Sequence, residues 1–141
     1  PPRSTLFPYT TLFRSMLKRR REIIERYDEA FKPLGVKVLP HYTSEHESSG
    51  HLYITEIPNV TYEQRGEIIN KMAEREIACN VHYKPLPLHT AYKEMGFDIK
   101  DYPNAYNHFA REITLPLHTC LTDEQVEYVI KSYVEVLREY L

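Results

Sequence analysis

Two segments of the sequence carry the same helix-start signal, and they constrain the fold more than any other feature. Thr61-Tyr-Glu-Gln64 and Thr122-Asp-Glu-Gln125 both match the capping box, in which the threonine oxygen accepts from a free backbone N–H and the glutamine reaches back. Apolar residues at helical spacing follow each box and predict one buried helix face. They are Ile68, Ile69 and Met72 after the first box, and Val126, Val129, Ile130, Tyr133 and Leu137 after the second.

The other elements alternate between helix and strand patterns. Another amphipathic helix is predicted from Met16 to Leu34, with Pro33 and Gly35 ending it. Because the strands follow one another and the helices can cover only one sheet face, the order predicts an α+β domain with a mostly antiparallel small sheet covered by helices. The predicted strands are 36–40, 51–57, 77–83 and 113–117, and shorter helices are predicted at 91–97 and after Pro103.

Composition limits the class of protein. A chain of 141 residues that is 42% hydrophobic can build one domain with a real core. The formal net charge of −2 creates no global attraction to nucleic acid or anionic membrane, and no apolar run reaches the roughly 18 residues that span a bilayer. The two cysteines, Cys79 and Cys120, are too few for a disulfide framework, so we expect core or surface thiols and a cytoplasmic protein.

Residues 1–15 differ from the rest of the chain. They contain no acidic residue, repeat Thr-Leu-Phe at 5–7 and 11–13, and have Pro8 where a secretory signal needs an uninterrupted apolar core. The segment resembles translated sequencing-adapter strings, so we expect non-native sequence. A disordered natural tail is the alternative, and local propensity also allows a strand. The domain is therefore expected to occupy residues 16–141.

Seven histidines raise the question of a metal site. His41, His46 and His51 are equally spaced, but a step of five residues turns through roughly 140° on a helix and changes face on a strand. None of the usual zinc-ligand spacings is present. We therefore expect no metal site and three histidines exposed on a polar loop.

A second candidate site is the exit from the third predicted strand. His82 and Tyr83 are adjacent, so on a regular strand only one of them can face a cleft. Pro85 and Pro87 follow, cannot donate to a ladder and predict an extended exit that leads to His89. Such side chains can hydrogen-bond a sugar hydroxyl or act as acid or base. The alternative is a half-buried histidine satisfied by backbone groups.

Four stretches together carry a family resemblance: the helix at 19–31, HESSGHLYITEIP at 46–58, the stretch at 77–105, and EITLPLHTCLTDEQVEYVI at 112–130. They closely resemble the C-terminal portion of the DegT/DnrJ/StrS sugar aminotransferases. The resemblance implies the small domain of an aspartate-aminotransferase-type fold, the fold type I of pyridoxal phosphate enzymes. It also implies homodimers with active sites at the subunit interface. Such enzymes move an amino group, usually from glutamate, to a keto group of a nucleotide-linked sugar for polysaccharide or glycan synthesis.

The VHYKPLPLH stretch matches the family's His-Tyr-x-Pro-Leu pattern at the edge that faces the substrate cleft. The resemblance therefore implies that His82, Tyr83, Lys84 and His89 contact the substrate. In the family, the Schiff-base lysine and the groups that hold pyridoxal phosphate lie upstream of the matched portion. No catalytic residue is therefore assigned, and we expect the chain alone to be inactive and not to bind the cofactor stably.

Two other function classes are alternatives to this one. A free-standing α+β module could bind a small molecule or protein at the edge from His82 to His89, without catalysis. Nucleic-acid binding through a ferredoxin-like sheet is disfavoured, because no strand shows paired aromatics flanked by basic residues and the net charge is negative.

Overall fold

The computed structural model describes the backbone of residues 8–141 and the side chains of residues 11–141. Helix α1 spans Pro8–Phe31 and begins before Met16, with proline tolerated in a first turn whose N–H groups have no intrahelical partner. A 3-10 turn follows, and Gly35 ends it with a left-handed φ of 80°. Residues 8–15 are thus helical and not a strand, while the expectation for residues 1–7 lies outside the described residues.

Three short strands form an antiparallel sheet in the order β1-β2-β3. They are Lys37–Val38, Tyr53–Glu56 and Glu112–Leu115. On β2 buried and half-buried residues alternate, whereas every residue of β3 is buried. The predicted fold class is confirmed, since helices cover a small antiparallel sheet.

Residues 77–83 do not form the predicted strand. Only Asn80 pairs with β3, through backbone hydrogen bonds of 2.8 and 3.1 Å with Thr114. The next N–H donates to the Asn80 side chain at 2.8 Å, and the His82 N–H donates to the Glu112 carboxylate at 2.9 Å. Because side chains take these two donors, the ladder does not continue.

Both predicted capping boxes are confirmed. They begin α2, Tyr62–Ala73, and α5, Asp123–Leu137, and in each the glutamine N–H donates to the threonine hydroxyl at 3.2 Å. The apolar stripe of α5 is buried apart from half-buried Ile130. The shorter helices are α3, Thr90–Glu94, and α4, Pro103–Arg111. Across residues 8–141 no helix has the length and apolar character needed to cross a bilayer.

Aromatic side chains from α1, β2 and α5 form the centre of the core. Tyr27, Phe31, Tyr53 and Tyr133 pack with ring centroids between 4.9 and 6.2 Å apart. Each of the three tyrosine hydroxyls has a hydrogen-bond partner within 2.9 Å. Burying these rings therefore contributes apolar surface without leaving a hydroxyl unsatisfied.

Candidate functional site

A buried carboxylate organises the start of residues 82–89, which we call the exit segment. Glu112 is only 1% exposed, accepts the His82 N–H at 2.9 Å, and also accepts the Thr114 hydroxyl. His82 Nδ1 lies 2.9 Å from Thr114 Oγ1. Because the single hydroxyl proton of Thr114 is donated to the carboxylate, its oxygen accepts from His82 Nδ1–H. The neutral ring then keeps its lone pair on Nε2.

Tyr83 stands beside this fixed imidazole. Its side chain is 73% exposed, and its ring meets that of His82 edge-on, with centroids 4.7 Å apart and an angle of 86°. The peptide bond that joins the two residues is cis. The expectation that only one of them can face a cleft was made for a regular strand, and it does not apply here because the chain leaves the sheet after Asn80.

The remainder of the exit segment turns back on itself. Pro85 is extended, but Pro87 lies in a 3-10 turn, Leu86–Leu88, so the predicted extended exit is wrong beyond Pro85. Proline suits this turn because its fixed φ is close to the helical value. His89 Nε2 lies 3.4 Å from the Lys84 carbonyl oxygen, which brings these two exposed residues together. The role of all four residues as substrate contacts stays a prediction.

Sequence reasoning missed Glu112 and Thr114. An acidic residue that opens an otherwise apolar strand could have marked the first, because buried carboxylates are rare unless they are paired. Thr114 carries no such signal, since threonine is common in strands.

Lys84 also lines a cavity of about 320 Å³. Behind its aromatic wall lies Arg65, whose guanidinium is 4.7 Å from the Tyr62 ring centroid and 5.1 Å from that of Phe109. Sequence reasoning did not predict this cavity, because its lining comes from four separate segments. Its other lining residues are Leu88, Lys93 and Tyr106.

The three equally spaced histidines do not converge. His41 is 6% exposed, stacks on Tyr53 with centroids 5.9 Å apart, and has Nδ1 3.1 Å from Ser48 Oγ. Burial lowers the pKa of His41 and holds the ring neutral. The expectation of an exposed position is wrong for His41, whereas His46 and His51 are exposed. Over the described side chains, no three His, Cys, Asp or Glu residues are grouped as metal ligands.

The two cysteines occupy different environments. Cys79 packs against the core, and burial raises the pKa of its thiol to about 12. Cys120 is exposed and, like Cys79, is a free thiol. Both cysteines agree with the prediction of core or surface thiols.

The lysines are either exposed or paired with a carboxylate. A lysine that forms a Schiff base with pyridoxal phosphate can be activated by desolvation in an apolar pocket. All eight lysines lie in the described part of the chain, and seven are exposed. Lys71 is half-buried, but its hydrogen bond to Glu139, at 2.6 Å, raises its pKa. Among the described residues no lysine is thus both buried and without a carboxylate partner, and the location of the Schiff-base lysine outside this chain stays a prediction.

The fold places the chain among pyridoxal-phosphate-dependent aminotransferases, with an α+β small domain of the aspartate-aminotransferase type. Spr1654 from Streptococcus pneumoniae, assigned as a sugar aminotransferase and solved in apo, PMP and PLP forms, is similar at 50% identity. Its apo form superposes with a TM-score of 0.87 over 90% of this chain and 32% of that chain. PseC from Helicobacter pylori is similar with a TM-score of 0.73 and 25% identity, over 88% of this chain and 33% of that chain.

The model of the DegT/DnrJ/EryC1/StrS aminotransferase family matches residues 11–134. The chain belongs to this family, whose cofactor is pyridoxal phosphate. The spore coat polysaccharide biosynthesis protein SpsC from Bacillus subtilis is 32% identical over 129 residues, which cover 87% of this chain and 32% of SpsC. The chain thus spans about a third of the length of the curated relatives it matches. The family match begins at Thr11, and the origin of residues 1–15 stays a prediction.

Proposed function

We propose that this chain supplies the substrate-side edge of an aminotransferase that moves an amino group, from glutamate, to the keto group of a nucleotide-linked sugar. The observation that carries the proposal is the His82 imidazole fixed by Thr114 and Glu112, on a chain of the sugar aminotransferase family. Relatives that are named for such reactions support it. They include the UDP-4-amino-4,6-dideoxy-N-acetyl-beta-L-altrosamine transaminase of Helicobacter pylori, at 26% identity, and the dTDP-4-dehydro-2,3,6-trideoxy-D-glucose 4-aminotransferase of Saccharopolyspora spinosa, at 29%.

In this proposal the exit segment binds and orients the sugar. Pyridoxal phosphate, when bound elsewhere in the whole protein, supplies the electron sink for amino transfer. His82 Nε2 accepts a hydrogen bond from a sugar hydroxyl, because Nδ1 already donates to Thr114. Tyr83 offers an exposed hydroxyl and ring beside it, while Lys84 and His89 can donate to oxygen atoms of the same ligand.

The proposal extends to the whole protein. It would be a cytoplasmic homodimer with active sites at the subunit interface, and it would serve the synthesis of a polysaccharide or another glycan. The similarity to SpsC, which is named as a spore coat polysaccharide biosynthesis protein, supports a role in polysaccharide synthesis. The dimer and the compartment are supported by the family resemblance alone.

The 141-residue chain alone should form no internal aldimine, because seven of its lysines are exposed to water and Lys71 is paired with Glu139. The chain is mixed with pyridoxal phosphate, treated with borohydride and analysed by peptide mass spectrometry. We expect low labelling spread over several exposed lysines and no absorbance band of an aldimine. A stoichiometric adduct at one lysine would refute the proposal that the Schiff-base lysine lies outside this chain.

Activity is tested on the protein that joins this chain to the upstream sequence of its own gene. We expect glutamate-dependent amination of a UDP- or dTDP-linked 4-keto sugar. The His82→Ala variant should lose about tenfold in kcat/KM, the value of one well-placed hydrogen bond. His51→Ala is the matched control, since His51 is exposed outside the exit segment. A gene that starts at Met16 with its own ribosome-binding site would instead favour the free-standing binding module.

A further inference from the structure

The cavity beside Lys84 joins elements that are far apart in the sequence. Its lining comes from α2, the exit segment, α3 and α4 and consists of Tyr62, Lys84, Leu88, Lys93, Tyr106 and Phe109. Its volume of about 320 Å³ lies at the lower end of the range for small-molecule sites. The cavity can therefore hold a ligand of moderate size, or the larger part of one.

Two of the lining residues bring positive charge that the described residues do not neutralise. Neither Lys84 nor Lys93 has a carboxylate oxygen within 4.0 Å in the described part of the chain. By contrast, Lys32, Lys37 and Lys71 each form a salt bridge. Two ammonium groups at one cavity favour an anionic ligand, and a phosphoryl group accepts hydrogen bonds from both.

Arg65 adds a third positive charge behind the cavity wall. It is only 7% exposed, and its Nε and Nη2 atoms have no hydrogen-bond partner within the described residues. Its guanidinium stacks on Tyr62 and Phe109, which both line the cavity. Contact with aromatic faces offsets only part of the free energy that it costs to desolvate a buried cation. The remaining positive charge of Arg65 would stabilise an anion in the cavity.

The cavity also offers exposed aromatic surface. The side chains of Tyr62 and Tyr106 are 45% and 41% exposed although both line it. Exposed rings next to cations suit a ligand with a planar base and phosphoryl groups, because the base stacks and the phosphoryl groups pair with the cations. A free inorganic anion would use only the cations.

We propose that this cavity binds the nucleoside diphosphate part of the nucleotide-linked sugar, with Lys84 and Lys93 contacting the phosphoryl groups, Arg65 reinforcing their charge, and Tyr62 and Tyr106 stacking on the base. This inference rests on the proposed function. It gives binding roles to Lys93, Arg65, Tyr62 and Tyr106, and it separates nucleotide recognition in the cavity from sugar recognition by His82 and Tyr83.

The test is calorimetric titration of the 141-residue chain at low salt with UDP, UDP-N-acetylglucosamine and pyrophosphate. We expect the UDP-sugar to bind at least as tightly as UDP, because His82 and Tyr83 can contact its sugar, and UDP to bind about tenfold more tightly than pyrophosphate, because only UDP has a base that stacks. Lys93→Gln should weaken UDP binding about tenfold through the loss of one charged contact. Lys100→Gln is the matched control and should bind like the unmodified chain, since Lys100 is an exposed lysine that does not line the cavity.

Equal affinity for UDP and pyrophosphate would overturn the stacking role and with it the nucleotide assignment. Binding of UDP but not of the UDP-sugar would mean a site for free nucleotide and would overturn the substrate assignment. No binding, or a Lys93→Gln variant that binds like the unmodified chain, would overturn the site itself. The proposed function fails separately, if the protein that includes the upstream sequence shows no amination activity. Nucleotide binding by the cavity is measured without that activity, and Lys93 is not one of the residues proposed to contact the sugar.

Discussion

The aromatic core and the surface around the exit segment use similar residues but treat their polar groups differently. In the core the hydroxyls of Tyr27, Tyr53 and Tyr133 are all hydrogen-bonded within the chain. At the surface Tyr83 is largely exposed and Lys84 lacks a carboxylate partner in the described part of the chain. Polar groups that are hydrogen-bonded within the chain stabilise the fold, whereas surface polar groups without such a partner are available to a ligand. The difference separates residues that specify the structure from residues that can bind.

The largest expected difference in the free energy of unfolding comes from removing one aromatic ring from each region. Tyr133→Ala should lower the free energy of unfolding by about 3–5 kcal/mol, because it opens a cavity in the core and leaves the Thr55 hydroxyl with one partner fewer. Tyr83→Ala should change it by less than about 0.5 kcal/mol. Urea unfolding of both variants measures the difference. A loss of similar size at Tyr83 would mean that the exit segment is part of the core.

The carboxylate between the two regions gives the next largest effect. Glu112→Ala leaves the His82 N–H and the Thr114 hydroxyl without their buried acceptor, so we expect a loss of about 1–3 kcal/mol in urea unfolding. Glu45→Ala, in an exposed loop, is the control and should be neutral within about 0.5 kcal/mol.

Glu112→Ala also tests the orientation of the His82 imidazole. Nitrogen-15 NMR of the unmodified chain should show the proton of the neutral His82 ring on Nδ1, and Glu112→Ala should mix the two tautomers. An unchanged tautomer would show that Thr114 orients the ring without the carboxylate. Glu112 would then belong to the core alone and not to the binding surface.

Local chemistry decides how far the fold could be predicted. The starts of α2 and α5 follow from Thr61 and Thr122, because a capping box is complete within four residues. The end of strand pairing at Asn80 could not be predicted, since it depends on Glu112, which lies 30 residues beyond His82. That carboxylate is brought in by tertiary packing that no local pattern reports.

The candidate site, too, could be predicted only as far as its residues are close in the sequence. His82, Tyr83, Lys84 and His89 are close in the sequence, so their grouping needed no structure. The edge contact between the first two rings and the fixed Nδ1 proton needed the position of β3. The cavity needed more, because the four segments that line it are separated in the sequence and meet only in the folded chain.

A smaller effect comes from single hydroxyl groups. Tyr27→Phe removes the donor to the Pro116 carbonyl, at 2.9 Å, and should lower the free energy of unfolding by about 1 kcal/mol. Tyr83→Phe is the matched control, and it should leave stability unchanged because its hydroxyl is on an exposed side chain. Thermal or urea unfolding resolves the pair, and equal losses would contradict the distinction between internally satisfied and ligand-available hydroxyls.

The smallest expected effect depends on pH and concerns His41, which burial keeps neutral. Burial lowers its folded-state pKa, with Asp28 opposing and Lys32 adding to the shift. The unfolded chain, with an ordinary histidine pKa of about 6.5, therefore binds more protons as the pH falls through that value. Stability from this group is fully present above pH 7.5 and is lost toward pH 5. His41→Gln should show a shallower fall in unfolding free energy between these two values than the unmodified chain, and the same slope above pH 7.5. Identical slopes below pH 7 would show that His41 takes up its proton without leaving the core.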